Sequence, residues 1–156
     1  MSGIRLADIP DMQRIYELGL ELLEASSYRG IKHDQQKFKT LVAGLMGSKQ
    51  GRVLVVVDDN DVPQGFLIGV IDEYFFSHYK LASDLATYIR NGFERYAFRL
   101  YKTFIDWAKT KPKVMDITFA HSSGMGDFDR WCRLMEKLGL TRNGSFYTMR
   151  VSLCQA

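Results

Sequence analysis

The apolar side chains of this 156-residue chain follow two different periods along the sequence. In four segments they recur every three or four residues, the spacing of an amphipathic helix with one buried face. Aspartate precedes three of these segments as an N-cap, and glycine or proline follows three of them. The predicted helices lie between Asp8 and Ser26, Asp34 and Gly47, Phe93 and Ala108, and Asp127 and Gly139.

Between these segments, β-branched and alternating apolar runs predict strands. The run RVLVVV at 52–57 is continuously apolar after its arginine, so this strand is expected to be buried on both faces. The predicted strands cover residues 3–7, 52–57, 65–74, 81–89, 113–120 and 145–153. The order β-α-α-β-β-β-α-β-α-β predicts an α/β (α+β) fold, in which residues 1–156 form a single domain with a mixed, mostly antiparallel central sheet flanked by helices.

Composition and charge narrow the functional classes. The hydrophobic content of 46% and charged content of 25% are typical of a globular protein, and a net charge of +3 does not indicate nucleic-acid binding. Cys132 and Cys154 have neither disulfide nor metal-ligand spacing, so we expect a cytoplasmic protein without a metal. No apolar run approaches the roughly 20 residues of a membrane span, and no signal-peptide pattern is present at the start.

The sequence LASDLATYIRNGFERYAFRLYKTFIDWA, residues 81–108, carries the clearest candidate chemistry. It predicts a strand, a short turn and an amphipathic helix. Backbone N–H groups and the helix dipole converge at such a junction and favour a bound phosphate. Arg90, Arg95 and Arg99 lie in or just after the turn, where arginine can pair with phosphate oxygens. Without a ligand, the same sequence is a simple strand–helix connection.

Three segments together resemble the GNAT superfamily of acyl-CoA-dependent N-acyltransferases. IRLADIPDMQRIYEL is similar to the family's first strand and helix, LATYIRNGFERYAFRLYKTFIDWA to its fourth strand, pyrophosphate loop and third helix, and RLMEKLGLTRNGSFYTMRV to its closing elements. The Trp-Ala end of the third helix and the short last strand are most similar to acyltransferases encoded by tailed bacteriophages. The resemblance covers nearly the whole chain and implies acetyl-CoA, or CoA, as the ligand.

The family's pyrophosphate loop has the pattern Arg/Gln-x-x-Gly-x-Gly/Ala, and the resemblance is imperfect there. Counted back from Trp107, Gly92 takes the first position, Arg95 the middle glycine and Ala97 the last small residue, so only Ala97 fits. Glu94 adds a negative charge at the position of the phosphates. The resemblance implies that the cofactor contacts Tyr88, Ile89, Arg90, Phe93, Glu94, Arg95, Tyr96, Ala97 and Ser122.

The resemblance also implies a general base and a general acid. The base is expected on the fourth strand, where Asp84 precedes Tyr88 by four residues and is predicted to share its face; Glu73, with its neighbour Asp72, is the rival candidate. Family members often carry an acidic tyrosine on the last helix, but Met135 stands there. Tyr147 is therefore a candidate acid, with Tyr88, Ser123 or water as alternatives.

The expected activity is transfer of an acetyl group from acetyl-CoA to a small-molecule or protein amine by direct attack. The acceptor would enter beside the aromatic loop residues Tyr28, Phe75, Phe76 and Tyr79, which would otherwise belong to the core or to a homodimer contact. The altered loop and Met135 also fit an alternative: a GNAT-fold protein without catalysis that binds a protein partner, for example a phage protein that targets a host factor.

Overall fold

The structure is a computed structural model that describes residues 2–121 and 126–151. The described part of the chain contains five strands and four α-helices. The strands are β1 (Gly3–Leu6), β2 (Gly51–Val57), β3 (Pro63–Glu73), β4 (Lys80–Ile89) and β5 (Val114–Thr118). The helices are α1 (Met12–Ala25), α2 (Gln35–Met46), α3 (Ala97–Lys109) and α4 (Phe128–Lys137), and short 3₁₀ turns at Ile9–Asp11 and Glu94–Tyr96 lead into α1 and α3.

The strands form one mixed sheet in the order β1-β2-β3-β4-β5. Neighbouring strands are antiparallel except for β4 and β5, which are parallel because α3 crosses between them. The predicted α+β class and the single domain with a mixed, mostly antiparallel sheet are confirmed. The predicted N-caps are also confirmed for α2 and α4, since the side chains of Asp34 and Asp127 accept backbone N–H groups at 2.9 Å.

The sheet separates two hydrophobic cores. On one face, α1 and α2 cover the side chains of β2 that include Val53 and Val55. On the other face, α3 packs Leu100 and Phe104 against Leu54 and its neighbours, and α4 adds residues at the margin of this core. Strand β2 therefore buries both of its faces, as its continuous apolar run predicts.

The predicted last strand is absent from the described residues. Residues 141–151 have no strand pairing, and Phe146, Tyr147 and Met149 expose most of their side chains. A strand needs a partner for its backbone and a covered face for its apolar side chains, and alternation of residue types supplies neither. The Arg150 guanidinium instead donates a hydrogen bond to the Ser27 carbonyl at 2.8 Å. Residues 152 and 153 of the predicted strand lie outside the described residues.

An extra residue in β4 shifts its pairing with β3. Ile68 lies opposite Ala86 but Gly69 lies opposite Asp84, so Leu85 has no partner and forms a β-bulge. The position of Gly69 is tightly enclosed, because a Cβ there would come within 2.0 Å of the Phe104 ring. The absence of a side chain on Gly69 therefore allows α3 to pack closely over the bulge.

Replacing Gly69 with alanine should destabilise the protein, because the Phe104 ring would have to leave its position in the core. Overpacking of this kind costs about 1–3 kcal/mol, and chemical denaturation should show a loss of that size in the free energy of unfolding. Gly3→Ala is a suitable control, since a Cβ at Gly3 meets nothing within 4 Å. Equal stability of the two variants would contradict this account of the packing.

Candidate acyl-transfer site

Strand β4 extends beyond its pairing with β5. In the described part of the chain the two strands pair only over Lys80–Ser83 of β4, whereas β4 continues beside β3 as far as Ile89. The Arg90 N–H donates to the Gln64 carbonyl at 2.9 Å, which fixes the alternation of hydrogen-bonded pairs back along this antiparallel ladder. Thr87 and Ile89 consequently direct their backbone N–H and C=O groups away from β3, towards the edge of β4 that has no pairing with β5 at these residues.

This gap offers backbone hydrogen-bonding groups to an extended ligand. An unpaired strand edge binds a chain of alternating donors and acceptors in the same way as it binds another strand. Of the expected cofactor contacts at Tyr88 and Ile89, the register leaves only the backbone groups of Ile89 available, because those of Tyr88 face Phe66. Thr87 supplies the other available backbone groups.

Asp84 lies beside this gap on the face that α3 covers. Its Oδ2 accepts a hydrogen bond from the Thr87 hydroxyl at 2.6 Å. Burial raises the pKa of Asp84 to about 6, more than the Thr87 hydrogen bond lowers it. The negative charge of Asp84 also contributes to raising the pKa of Tyr101 above its ordinary value, although burial of that phenol is the larger cause. A carboxylate with a pKa near 6 is suited to accept a proton near neutral pH.

The prediction that Asp84 and Tyr88 share a face is wrong, and the bulge is the reason. The spacing rule assumes strict alternation, but the extra residue Leu85 reverses it. Asp84 therefore shares a face with Thr87, while Tyr88 packs into the core under α1 and α2. The Tyr88 hydroxyl donates to Glu21 at 3.1 Å, and burial together with this carboxylate raises its pKa.

Arg90 is held on the same side as Tyr88. Its Nε lies 3.2 Å from a carboxylate oxygen of Glu21, and its Nη1 donates to the Gln64 side chain at 3.1 Å. The structure thus directs this arginine towards α1 rather than towards the N-terminus of α3. Of the three arginines near the turn, Arg95 and Arg99 remain at the start of the helix, and both are exposed.

The turn before α3 is closed by its own side chains. Gly92 adopts a positive φ of 94°, and its N–H donates to the Glu94 carboxylate at 2.7 Å. The Arg95 guanidinium donates to the Gly92 carbonyl at 2.9 Å and lies 4.8 Å from the centre of the Tyr96 ring. An amide that points at a phosphate in a helix-terminal anion site is bound here by an internal carboxylate.

The other predicted cofactor residues surround the same helix N-terminus. Phe93 and Tyr96 stack with their ring centres 6.4 Å apart, and the Tyr96 hydroxyl donates to Ser2 at 2.6 Å. Ala97, whose side chain is a single methyl group, is the first residue of α3. Ser122, like Ser123, lies outside the described residues.

The remaining catalytic candidates lie apart from Asp84. Glu73 is at the far end of β3, opposite Lys80 and 3.6 Å from His78, roughly 13 Å along β4 from Asp84. Tyr147 is 96% exposed in the segment without secondary structure. The structure therefore groups Asp84 with neither of them. Tyr28, Phe75, Phe76 and Tyr79 are exposed rather than part of the core.

Sequence reasoning missed two members of the site, Thr87 and Tyr101. Thr87 orients the Asp84 carboxylate, but nothing in the sequence reveals the bulge that brings the two side chains together. Tyr101 occurs on the predicted apolar face of α3, so the sequence indicated its burial. Its closeness to Asp84 depends on the packing of α3 over the bulge.

Residues 2–121 and 126–151 contain no group of three or more His, Cys, Asp or Glu side chains arranged to hold a metal ion. Among the helices in these ranges, none has the length and apolar character required to cross a bilayer.

The sequence and the fold give different results when compared with known proteins. No protein-family model matches the chain, and no curated protein matches it either. Solved structures do match. A glucosamine-6-phosphate N-acetyltransferase from Arabidopsis thaliana has a TM-score of 0.72 at 11% identity, with 97% of this chain and 99% of that chain covered.

Two other solved structures extend the likeness. An aminoglycoside acetyltransferase from an uncultured soil metagenomic sample has a TM-score of 0.70 at 14% identity, covering 97% of this chain and 99% of its own. A ribosomal-protein-alanine N-acetyltransferase from Brucella melitensis biovar Abortus 2308 has a TM-score of 0.67 at 16% identity, covering 96% and 99%. The chain therefore has the fold of GNAT-type acetyltransferases, as the sequence predicts, while its likeness to bacteriophage enzymes stays a prediction.

The raised pKa of Asp84 predicts a specific dependence of stability on pH. The folded state holds the proton more tightly than the unfolded chain between the ordinary pKa of 3.8 and the folded value of about 6. The contribution of Asp84 to the free energy of unfolding is thus fully present below pH 4 and is lost as the pH rises through 6. The shift corresponds to at most about 3 kcal/mol.

Asp84→Asn should therefore be more stable than the unmodified protein at pH 7, and the difference should shrink towards pH 4. Denaturant unfolding measured from pH 4 to pH 8 tests this, with the exposed Asp72→Asn as a control of equal charge change. A constant difference between Asp84→Asn and the unmodified protein across this range would show that Asp84 is not shifted by burial.

Proposed function

We propose that this protein is an N-acetyltransferase that transfers an acetyl group from acetyl-CoA to an amine. The observation that carries the proposal is the gap beside β4, where Thr87 and Ile89 present backbone groups next to the half-buried carboxylate of Asp84. An extended thioester arm fits a strand edge, and a base with a pKa near 6 fits the deprotonation of an amine. The shared fold of acetyltransferases supports the same conclusion.

The residues around the start of α3 are proposed to receive the phosphates of acetyl-CoA. Ala97 leaves room at the helix N-terminus, and the helix dipole favours negative charge there. Arg95 and Arg99 can pair with phosphate oxygens once Arg95 releases the Gly92 carbonyl. Glu94 opposes this binding because its carboxylate already accepts the Gly92 N–H, so the phosphates must displace it.

Asp84 is proposed to act as the general base. Acetyl-CoA supplies an activated acyl carbon, and attack by the acceptor nitrogen forms the C–N bond as the C–S bond breaks. Asp84 accepts the proton that the nitrogen loses, directly or through water, while the Thr87 hydroxyl holds the carboxylate in place. The thiolate that leaves takes a proton from solvent.

The acceptor is proposed to be an amine of a small molecule or of a protein. The proteins of like fold act on an amino sugar phosphate, on aminoglycosides and on a ribosomal protein, so the fold accepts acceptors of very different size. Exposed aromatic side chains, including Tyr28 and Phe75, are candidates for contact with the acceptor. A cytoplasmic location is part of this proposal, since acetyl-CoA is an intracellular metabolite.

One observation favours a second candidate, a binding protein without catalysis. The hydrogen bond from the Gly92 N–H to Glu94 satisfies the turn internally, as expected for a turn that receives no phosphate. Asp84 argues against this candidate, because a carboxylate that is desolvated without an ion-pair partner among the described residues costs stability, and such groups are common at functional sites.

Acetyl-CoA should stabilise the protein against thermal unfolding. A ligand present at 100 times its Kd adds about 2.7 kcal/mol, so differential scanning fluorimetry with acetyl-CoA should show a clear rise in Tm. Ala97→Glu should abolish the rise, because its side chain would place bulk and negative charge at the helix N-terminus.

Glu94→Gln provides the opposite test of the same loop. Removal of the carboxylate should strengthen acetyl-CoA binding, since the phosphates would displace a neutral acceptor rather than an anion. A Tm that does not respond to millimolar acetyl-CoA in both the unmodified protein and Glu94→Gln would favour the binding-protein candidate. An unchanged response in Ala97→Glu would show that the phosphates lie elsewhere.

The rate of acetyl transfer should fall below about pH 6, where Asp84 becomes protonated. Asp84→Asn should lower kcat by about 10²–10⁴-fold and remove this acidic limb from the pH profile. Asp106→Asn, an exposed substitution on α3, should keep both the rate and the limb. If Glu73→Gln rather than Asp84→Asn removes the limb, then Glu73 is the base.

A further inference from the structure

A second cleft lies where the C-terminal ends of α2 and α3 approach the start of β2. It has a volume of about 260 Å³ and is enclosed by the ends of α2 and α3 and the start of β2. Three cationic side chains line it, those of Lys49, Arg52 and Lys111, together with the indole of Trp107. Trp107 is ten residues along α3 from Ala97, roughly 15 Å at the helical rise, and Lys111 follows the end of this helix. The cleft is thus separate from the start of α3, whereas its Arg52 lies two strands from Asp84, since Gly69 pairs with both residues.

Two of the cations are held against the same aromatic ring. The Arg52 guanidinium carbon lies 5.3 Å from the centre of the Trp107 ring, and the Lys111 ammonium lies 5.1 Å from it. The two charges are consequently no further apart than about one Debye length at 0.1 M salt. At this separation their repulsion is only partly screened, so their proximity costs stability unless negative charge is nearby.

The cleft supplies too little negative charge to balance them. None of the described residues that line it is Asp or Glu, and Lys49, Arg52 and Lys111 form no ion pair within the described part of the chain. The C-terminal ends of α2 and α3 both face the cleft, and each contributes about half a negative charge. Roughly two positive charges remain without compensation.

Arg52 also has an unused hydrogen-bond donor. Its Nε is buried and has no partner among the described residues. Buried donors are nearly always satisfied, and the exceptions point to a missing partner. Arginine is also the side chain whose fork of donors matches the oxygens of phosphate. Rotation of the guanidinium towards an anion in the cleft would satisfy this donor and balance the charge.

We propose that this cleft binds a phosphate group, either inorganic phosphate or the phosphate of a small phosphorylated molecule. A phosphate dianion supplies the two negative charges that the cleft lacks, and the cleft volume has room for a small substituent. Arg52 binds its oxygens through paired N–H groups, while Lys49 and Lys111 neutralise it from the rim. The proposal is independent of acetyl transfer, because no residue of the acyl-transfer site takes part.

Titration with phosphate and with glycerol phosphate tests the proposal, with chloride at the same ionic strength as reference. The chain has two tryptophans, so Trp131→Phe leaves Trp107 as the reporter of binding by fluorescence. Saturable binding with a Kd below about 1 mM is expected for one or both ligands. Tighter binding of glycerol phosphate would identify a phosphorylated molecule as the source, and equal or weaker binding would identify free phosphate.

The variants Arg52→Gln and Lys111→Gln should each weaken binding about tenfold or more, the effect of losing one charge-assisted contact. Lys109→Gln removes the same charge from an exposed position two residues before Lys111 and should leave the Kd unchanged. Lys49→Gln should also weaken binding, and because Lys49 is exposed this variant leaves the core unchanged. Absence of saturable binding, or equal weakening by Lys109→Gln and Lys111→Gln, would overturn the proposal.

Discussion

The β-bulge at Leu85 is the constraint on which the proposed acyl-transfer site depends. Strand β4 pairs with β3 on both sides of this residue, but the alternation of side chains reverses across it. Asp84 and Thr87 are thereby brought to the same face, where the side chain of Asp84 is half-buried and the pKa of its carboxyl group is raised by desolvation. Gly69, opposite the bulge, admits the Phe104 ring and so lets α3 approach closely. A regular strand would place Asp84 and Thr87 on opposite faces.

At the start of α3, hydrogen bonds within the turn compete with the binding of an anion. Glu94 and Arg95 both bond to Gly92, one to its N–H and the other to its carbonyl. The turn is therefore stable without a ligand, and any anion that binds there competes with a carboxylate already in place. The two basic regions of the molecule differ in this respect: the turn carries its own counter-charge, whereas the cleft around Trp107 carries none from side chains.

The sequence predicted most of the fold because the relevant signals are local. Helical periodicity, the aspartate caps of α2 and α4 and the apolar run of β2 each depend on neighbouring residues, and each is confirmed. The cap predicted at Asp8 is wrong for α1, because a 3₁₀ turn at Ile9–Asp11 lies between Asp8 and this helix. The predictions were wrong where the structure depends on residues that are distant in the sequence. The bulge at Leu85 depends on the register with β3, so the face of Asp84 relative to Tyr88 was predicted wrongly. The strand predicted at 145–153 lacks a partner in the described residues, which an alternating sequence cannot reveal.

The free edge of β4 beside Asp84 is the proposed binding place of the acyl donor. Amide hydrogen exchange resolved by NMR can test this placement, since the N–H of Ile89 faces the gap while that of Tyr88 is bonded within the sheet. In the free protein Ile89 should exchange faster than Tyr88, and acetyl-CoA should slow the exchange of Ile89 while leaving Tyr88 nearly unchanged. An Ile89 amide that exchanges as slowly as Tyr88 without ligand, or that does not respond to acetyl-CoA, would contradict this placement.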